Sequence, residues 1–498
     1  MPASETTTLQ LGDARLLKTC VGLLKELSFL NSASTGTLER LAEMDEAKAD
    51  QMDFLGSCPE IEDLWVQLFI DAIHALKIRD RREKARQQNF HEKPETEQQM
   101  ARSQNVFGIA QLKAYFRDFT RFESVLYGIE GSYRDHVAHV IRVWLIGLCL
   151  LGRKAPDGHS AIDELMLDIP VSMDGGSEGA SISAARSVST QERWAMWTVA
   201  ALGHDLGYPL EKTRKVNDAI DRMLSHFGDV STSRYHYSFQ GQHQLLNDLT
   251  LRVLSSKLEL FEPPHGHDEV SSAQSGRYTT SIQAKYHTKF AHSLEDFHHG
   301  VISCLVLMKT LVYFMETDYD TTGKGGLRLE DARQFYIRSQ ILRAIASHTC
   351  PDVYHLRIST MSFLLIMCDE LQEWGRPTFR EMKLGLGHAS GADSVIVDQC
   401  DFAKGIFRAR LQYKKGTFLS EDQVISKFES FHRLLRAAMD DKERDVRFRW
   451  EIIGDRSYVF QFDSNQTPFS ELTLSENGES ITSHLYRRDV SSAQSLQG

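Results

Sequence analysis

The sequence predicts a mainly α protein: an all-helical bundle with an N-terminal helical region before it and a small α+β domain after it. Apolar residues recur at helical spacing through the first part of the 498-residue chain, as in Leu16, Leu17, Cys20 and Leu24. The stretch from about 111 to 385 is nearly all helical by the same criterion. The pattern changes at 402–413 and 446–462, where alternation and β-forming residues predict strands.

These patterns divide the chain into four segments, since 498 residues exceed what one small core can organise. Residues 1–110 form the N-terminal helical region, and 111–385 form the helical bundle. Within the bundle, the Gly/Ser-rich stretch 175–189 is predicted to be a flexible insertion. Residues 386–475 form the α+β domain, with a hairpin turning at Gly454-Asp455, and 476–498 are predicted to be a disordered tail.

Composition restricts the classes of partner. A net charge of −11 argues against a protein that binds nucleic-acid backbones. The seven cysteines form no CxxC pair, which favours reduced thiols and a cytoplasmic location. The longest apolar runs, 143–151 and 301–308, are shorter than the ~20 residues of a membrane span, and no signal peptide is visible. We therefore expect no membrane partner, while a homo-oligomer stays open.

Polar side chains on the apolar faces of predicted helices are the most informative feature of the chain. They are His139, His204, Asp205, His299, His348 and Asp369. An ionisable group in a bundle core is costly unless a partner compensates it. Because one shared cation could compensate all of them, we expect one or two divalent metal ions there.

The clearest of the predicted helices leads to the His204-Asp205 pair. Ser189 and Glu192 form a capping-box pattern, so a helix is expected to begin there. Gly207 and Pro209 are expected to end it, which places His204 and Asp205 in its last turn. A lone His-Asp pair at a helix end is more often an ordinary surface feature, so the prediction depends on all six residues converging.

Each residue also has a simpler interpretation. A lone histidine on an apolar face is more often a core residue than a ligand, and His136, one turn before His139, competes for the same role. Asp369 could instead form a buried salt bridge. Its candidate partners are Arg338, Arg343 and Arg376. The motif 265–268 (HGHD) looks like a metal site but lies in a proline-led loop, so we expect a surface turn.

Taken in order, these residues resemble the HD-domain superfamily of metal-dependent phosphohydrolases. The resemblance rests on His139-x-x-Arg142-Val143, on 202–207 (LGHDLG) and on Asp369 in an apolar helix. His299 and His348 look like the two additional histidines of the binuclear branch, which includes phosphodiesterases. The resemblance covers roughly 130 to 380.

The resemblance implies an enzyme in which Asp205 bridges two metal ions. It assigns His139, His204 and Asp369 to one ion, and His299 and His348 to the other. It also implies attack of a metal-bound hydroxide on phosphorus, which makes Asp205 catalytic, and a proton donor for the leaving group. His136 or His298 could be that donor.

The same resemblance suggests what the site binds. Lys212 and Arg214 could contact substrate phosphate, although a solvated basic run in a loop explains them equally well. Nitrogen and carboxylate ligands without thiolate suit Mn, Fe, Ni, Mg or Zn.

Two classes of function follow. The favoured one is a metal-dependent phosphohydrolase that acts on a nucleotide or another phosphate ester or diester. The alternative is a non-catalytic HD module that serves as a metal or nucleotide sensor or as an interaction protein.

Overall fold

The computed structural model describes several ranges of the chain. They are residues 8–43, 54–56, 58–77, 106–126, 135–154, 160–165, 167, 169, 188–228, 242–261, 278–319, 326–353, 357–375, 392–402, 404–413, 423–425, 427–429, 432, 446–464 and 469–487. Most of the predicted insertion 175–189 and all of the motif 265–268 lie outside these ranges. All seven cysteines are free thiols. Within the described ranges, no helix combines the length and apolar character needed to cross a membrane.

Helices make up most of the first three quarters of the described chain. In chain order they are α1 (Asp13–Leu23), α2 (Ser32–Ala42), α3 (Ile61–Leu76), α4 (Ile109–Leu126), α5 (His136–Leu151), α6 (Thr190–Gly203), α7 (Tyr208–Leu224), α8 (Gln242–Ser255), α9 (Ala284–Glu295), α10 (His299–Thr310), α11 (Val312–Met315), α12 (Leu329–Ser347) and α13 (Met361–Leu371). Short 3-10 helices occupy Ala161–Glu164 and Ser225–Phe227. The predicted capping box of Ser189 and Glu192 is present at the start of α6.

The strands form two sheets. They are β1 (Leu9–Leu11), β2 (Ser256–Leu260), β3 (Tyr278–Ile282), β4 (Ser394–Asp401), β5 (Ile406–Gln412), β6 (Arg447–Ile453), β7 (Ser457–Asp463), β8 (Phe469–Glu476) and β9 (Glu479–Arg487). Strands β2 and β3 pair with each other. The others form a seven-stranded sheet in the order β1-β4-β5-β6-β7-β8-β9. Its strands are antiparallel except for the parallel pair β5–β6, and the expected hairpin at Gly454-Asp455 joins β6 to β7.

The predicted fold class is wrong, because the described chain is a mixture of helix and sheet and not an all-helical bundle with a small appended domain. Strand β1 comes from the N-terminal region and pairs with β4, with Leu9 opposite Val397. The pattern analysis missed β1 because it has three residues. It missed β8 and β9 because their sequences, FSELTLSE and ESITSHLYR, are rich in polar residues, as is common near a sheet edge.

Strand β9 also corrects the prediction of a disordered tail at 476–498, since it occupies 479–487 of that stretch. Asn477 and Gly478 connect β8 to β9, and their φ angles are 48° and 92°. Positive φ at both central residues is what a tight hairpin turn requires, and Asn-Gly is its preferred sequence. Residues 488–498 lie outside the described ranges.

The seven-stranded sheet packs against the helix that carries Asp369. The Phe363 ring on α13 lies 5.5 Å from the Phe407 ring and 6.1 Å from the Phe448 ring, measured between centroids. Phe407 and Phe448 stack on each other across the parallel strands β5 and β6. The sheet and the helices therefore share one continuous apolar core.

A buried ion pair ties α1 to α5. The Arg142 guanidinium donates two hydrogen bonds of 2.8 Å to the Asp13 carboxylate, and both side chains are almost fully buried. The Trp374 indole and the Leu55 amide also donate to Asp13, at 2.9 and 3.2 Å. Burial alone would raise the pKa of Asp13, but Arg142 and the other donors hold that pKa below its usual value.

Replacing Asp13 by alanine is expected to lower the free energy of unfolding by about 3–5 kcal/mol, because Arg142 would be left buried without a counter-charge. The matched control is Asp398→Ala, which breaks a similar two-bond pair with Arg410 whose side chains are about one-third exposed. That control is expected to cost less than about 1 kcal/mol. Urea denaturation measures both, and equal losses would contradict the importance of burial.

Candidate metal centre

Five helices bring the six predicted residues together. His139 lies in the first turn of α5, and His204 and Asp205 directly follow α6. His299 begins α10, His348 follows α12 and Asp369 lies near the end of α13. These residues come from distant parts of the sequence, so only the packing of the helices makes them neighbours.

The Asp205 carboxylate lies between two groups of ligand atoms. Its Oδ2 atom is 3.5 Å from His139 Nε2 and 3.4 Å from His204 Nε2. Its Oδ1 atom is 3.2 Å from His299 Nε2 and 3.6 Å from His348 Nε2. Each carboxylate oxygen therefore faces a different pair of imidazoles, as in a carboxylate that bridges two cations.

Asp369 belongs to the Oδ2 side, where its Oδ1 atom lies 3.0 Å from His139 Nε2. Of the arginines considered as its alternative partners, Arg338 donates to the carbonyl of Glu316 and Arg343 to that of Leu254. Arg376 lies outside the described residues. The carboxylate of Asp369 thus belongs to the cluster of histidines.

The spacing of these atoms fits metal coordination. Ligand atoms about 2.1 Å from an ion, at octahedral or tetrahedral angles, lie roughly 3.0–3.4 Å from one another. The separations given above, from 3.0 to 3.6 Å, are close to that range. The groups His139–His204–Asp369 and His204–Asp205–His348 could each hold a metal ion.

A hydrogen-bond acceptor behind each imidazole fixes its orientation. The acceptors at the Nδ1 atoms are Gln372 Oε1 for His139 at 2.7 Å, Ala201 O for His204 at 2.7 Å, Glu211 Oε2 for His299 at 2.7 Å and Ile345 O for His348 at 2.5 Å. Each Nδ1 therefore carries a proton, and in a neutral ring the Nε2 lone pair faces the cluster. Such acceptors behind histidine ligands are typical of metal sites.

This arrangement leaves nitrogen atoms that a metal ion could satisfy. The Nε2 atoms of His299 and His348 are 3.1 Å apart, so two neutral rings would point their lone pairs at each other. His204 Nε2 is buried and makes no hydrogen bond to any residue in the described part of the chain. A metal ion on each side of Asp205 would satisfy these atoms, so the residues present fit the predicted ions.

In the cluster, the effect of burial on each pKa opposes the effect of the neighbouring charges and hydrogen bonds. Burial lowers the pKa of His204, against the opposing effect of the Asp205 charge. Burial acts against the charge on Asp205, but the surrounding histidines, through charge and hydrogen bonds, hold its pKa well below the usual value. For His299, hydrogen bonds with Asp205 and Glu211 outweigh burial and raise the pKa to about 9. Without metal, a protonated His299 therefore supplies part of the missing positive charge.

Two glycines permit the close approach of the helices. A Cβ atom at Gly207 would lie 2.3 Å from the His299 carbonyl, and one at Gly300 would lie 2.5 Å from the Ile345 carbonyl. The Ser303 hydroxyl adds a connection, since it accepts from Gly207 N at 2.7 Å and donates to the His204 carbonyl at 2.6 Å. Small residues thus allow α10 to contact both the His-Asp turn and α12.

The residues predicted for proton transfer have different environments. His136 is buried; its Nδ1 lies 2.6 Å from Glu123 Oε1, and its ring lies 3.9 Å from the Tyr208 ring. His298 precedes α10 and is partly exposed, with its Nδ1 3.1 Å from the Ser293 hydroxyl. His136 therefore has a carboxylate behind it, whereas His298 has a hydroxyl.

The basic residues after the His-Asp pair belong to a helix, which corrects the expectation of a loop. Pro209 lies in the first turn of α7, where its fixed φ favours a helix start. Lys212 is largely buried, with its ammonium 4.4 Å from the centre of the Tyr208 ring and 3.8 Å from Glu211 Oε1. The backbone of Arg214 lies in α7, but its side chain is outside the described part.

Sequence reasoning missed the residues that support the ligands. Glu123, Glu211 and Gln372 each contact a histidine, and Tyr208 lies between His136 and His299. Gln372 follows Asp369 by three positions, which is the one weak signal that could have indicated it. Glu123 and Glu211 lie on charged helix stretches and carry no such signal.

No family model, no curated protein and no solved structure matches the chain.

Replacing Gln372 by leucine is expected to weaken metal binding about 10–100-fold, because His139 would lose the acceptor that orients its ring. Gln334→Leu is the matched control: Gln334 is equally buried but donates to the Leu76 carbonyl, away from the cluster. Calorimetric titration of the metal-free protein with Zn²⁺ measures both affinities. A similar loss of Zn²⁺ affinity in the two variants would indicate that Gln372 contributes only to packing.

Proposed function

We propose that this protein is a metal-dependent phosphohydrolase that cleaves a phosphate ester or diester, nucleotides included. The observation that carries the proposal is Asp205, whose two oxygens face separate pairs of inward-pointing imidazoles. The order and spacing of these residues also resemble the HD-domain superfamily. A paired-cation centre of this kind suits the in-line displacement of a group on phosphorus.

The ligand set narrows the choice of metal. Four imidazoles and two carboxylates, without a thiolate, suit transition metal ions such as Mn, Fe, Ni or Zn. Mg²⁺ prefers oxygen ligands and retains several waters, so an imidazole-rich cluster favours it less. We therefore propose two transition metal ions as the resident cofactor.

When bound, the ions would supply two effects: a lowered pKa for a coordinated water and polarisation of the phosphoryl oxygens. The substrate would enter beside Asp369 and His299, whose side chains are 23% and 16% exposed while those of His139 and His204 are fully buried. Lys212 is close to this entrance, because its ammonium lies 3.8 Å from Glu211, and Glu211 contacts His299. Its ammonium could neutralise a phosphate oxygen.

The leaving alcohol needs a proton, and His136 is the better placed of the two candidates. Its ring lies one helical turn before His139 and packs against Tyr208, which in turn contacts His299. The Glu123 carboxylate at Nδ1 would orient the ring and balance the positive charge of a protonated imidazole. At His298 the group beside Nδ1 is the uncharged Ser293 hydroxyl.

Removing both His204 and Asp205 should abolish metal binding and phosphodiester hydrolysis together. In His204→Ala with Asp205→Ala, metal content is expected to fall from about two ions per chain to background. Hydrolysis of bis(para-nitrophenyl) phosphate should fall to the rate in buffer. The matched control removes the exposed pair His292 and Asp352, 3.9 Å apart, and should change neither quantity. Elemental analysis and absorbance of the released phenolate measure the two effects.

The outcome also separates the two classes of function. Metal retained by the double variant would contradict the proposed ligands. Metal lost from the double variant, without turnover of any phosphate ester by the unaltered protein, would favour a non-catalytic sensor or interaction module.

The role of His136 can be tested through the leaving group. In His136→Asn, hydrolysis of a phenyl phosphodiester is expected to slow about 10²–10⁴-fold, the usual contribution of a general acid. Hydrolysis of the para-nitrophenyl diester should slow much less, because para-nitrophenolate leaves without a proton. His298→Asn is the comparison variant. A leaving-group dependence that appears in His298→Asn and not in His136→Asn would assign the proton to His298.

A further inference from the structure

A cavity of about 530 Å³ lies beside the metal centre, between α4, α7, α8 and α10. Its wall is mainly apolar, and its lining includes Phe119, Phe122, Leu246, Leu305 and Val306. None of the six residues of the cluster lines it. The volume is within the range of about 300–1,000 Å³ that is usual for small-molecule sites.

Among the buried polar side chains of this wall, Asn247 has no partner in the described part of the chain. Asn247 on α8 is nine-tenths buried, and its amide makes no hydrogen bond to any residue within the described ranges. The hydroxyls of Tyr115, Thr213 and Thr310 in the same wall already donate to backbone carbonyls. Because its amide atoms are unpaired and not fully enclosed, Asn247 can both donate to and accept from a molecule in the cavity that it lines.

We propose that this cavity binds a small, flat, mainly apolar molecule with a hydrogen-bond donor and an acceptor side by side. A primary amide offers one of each and pairs with such an edge through two bonds. The rings of Phe119 and Phe122 provide apolar surface for a flat group. Lactams and many nitrogen heteroaromatic rings have this chemistry.

The walls of the cavity contact residues next to the candidate metal centre. The Phe119 ring lies 5.5 Å from the His136 ring, and the Tyr115 hydroxyl donates to the carbonyl of Leu206, the residue after Asp205. Ile302, also in the wall, packs closely against Gly207: a Cβ atom added at Gly207 would lie 2.6 Å from Ile302 Cβ. The occupant could be the organic group of the substrate or a separate ligand, and both have the same recognition chemistry.

Binding can be measured with the unmodified protein and two probes. N-phenylnaphthylamine, a neutral dye that fluoresces in apolar surroundings, reports occupancy. Carbostyril, the lactam of quinoline, is compared with naphthalene as its competitor. Carbostyril is expected to bind about tenfold more tightly, since it can form two hydrogen bonds with Asn247.

Two variants and a control test the assignment. Val306→Phe fills the cavity and should weaken dye binding at least about tenfold. Asn247→Leu, which keeps the side-chain size, should retain dye binding and lose the preference for carbostyril. Leu245→Ala removes an exposed apolar side chain from the same helix, 73% exposed, and should change nothing. Unchanged dye affinity in Val306→Phe, or a carbostyril preference that survives Asn247→Leu, would overturn the proposal.

A kinetic arm, which rests on the proposed function, identifies the source of the ligand. Carbostyril that raises KM for bis(para-nitrophenyl) phosphate without changing kcat occupies the position of the substrate's organic group. Carbostyril that changes kcat acts as a separate ligand. The binding measurements need no turnover. They can therefore support or overturn the cavity proposal even if the protein proves not to be a phosphohydrolase.

Discussion

The structure depends on a buried carboxylate, Asp205, surrounded by imidazoles from four other positions. An ionised carboxylate in an apolar core is stable only when charge and hydrogen bonds compensate it. Here the compensation comes from His139, His204, His299 and His348, which four helices or their ends contribute. Because each imidazole is already held at Nδ1, its Nε2 atom faces the centre, where a metal ion on each side of Asp205 would satisfy these atoms. The helices therefore pack around a group of side chains that could hold metal ions.

The parts outside the helical bundle support this centre. His139 is held by Gln372, whose amide donates to the carbonyl of Trp374 at 2.6 Å. Trp374 in turn donates to Asp13, which pairs with Arg142 one turn beyond His139. The neighbour of Gln372, Glu373, pairs with Lys427 at 2.6 Å and accepts from Tyr413, both from the region of the large sheet. The N-terminal helix and the region of the large sheet thus hold residues 372–374, which orient His139. The N-terminal and C-terminal regions therefore support the site structurally.

The sequence allowed the helices and the polar residues on their apolar faces to be predicted, because helical periodicity is a local property. The polar strands β8 and β9 could not be recognised from apolar alternation, since strands near an edge carry too few apolar residues. Proline at position 209 was expected to end a helix, but it lies in the first turn of α7, and both roles agree with its backbone chemistry. Glu211 and Gln372 could not be predicted, because their role depends on contacts between helices distant in sequence.

The short turn between α6 and α7 contacts both the cluster of histidines and the wall of the cavity. Within it, His204 and Asp205 face the centre, and the Leu206 carbonyl accepts from Tyr115 in the cavity wall. Gly207 N donates to Ser303 on α10, and Tyr208 begins the helix that carries Lys212. Because both ends of the turn enter helices and its backbone groups bind neighbouring elements, the turn has little freedom to move. A rigid turn suits preorganised ligands, whereas the most exposed side chain of the cluster is that of Asp369, at 23%.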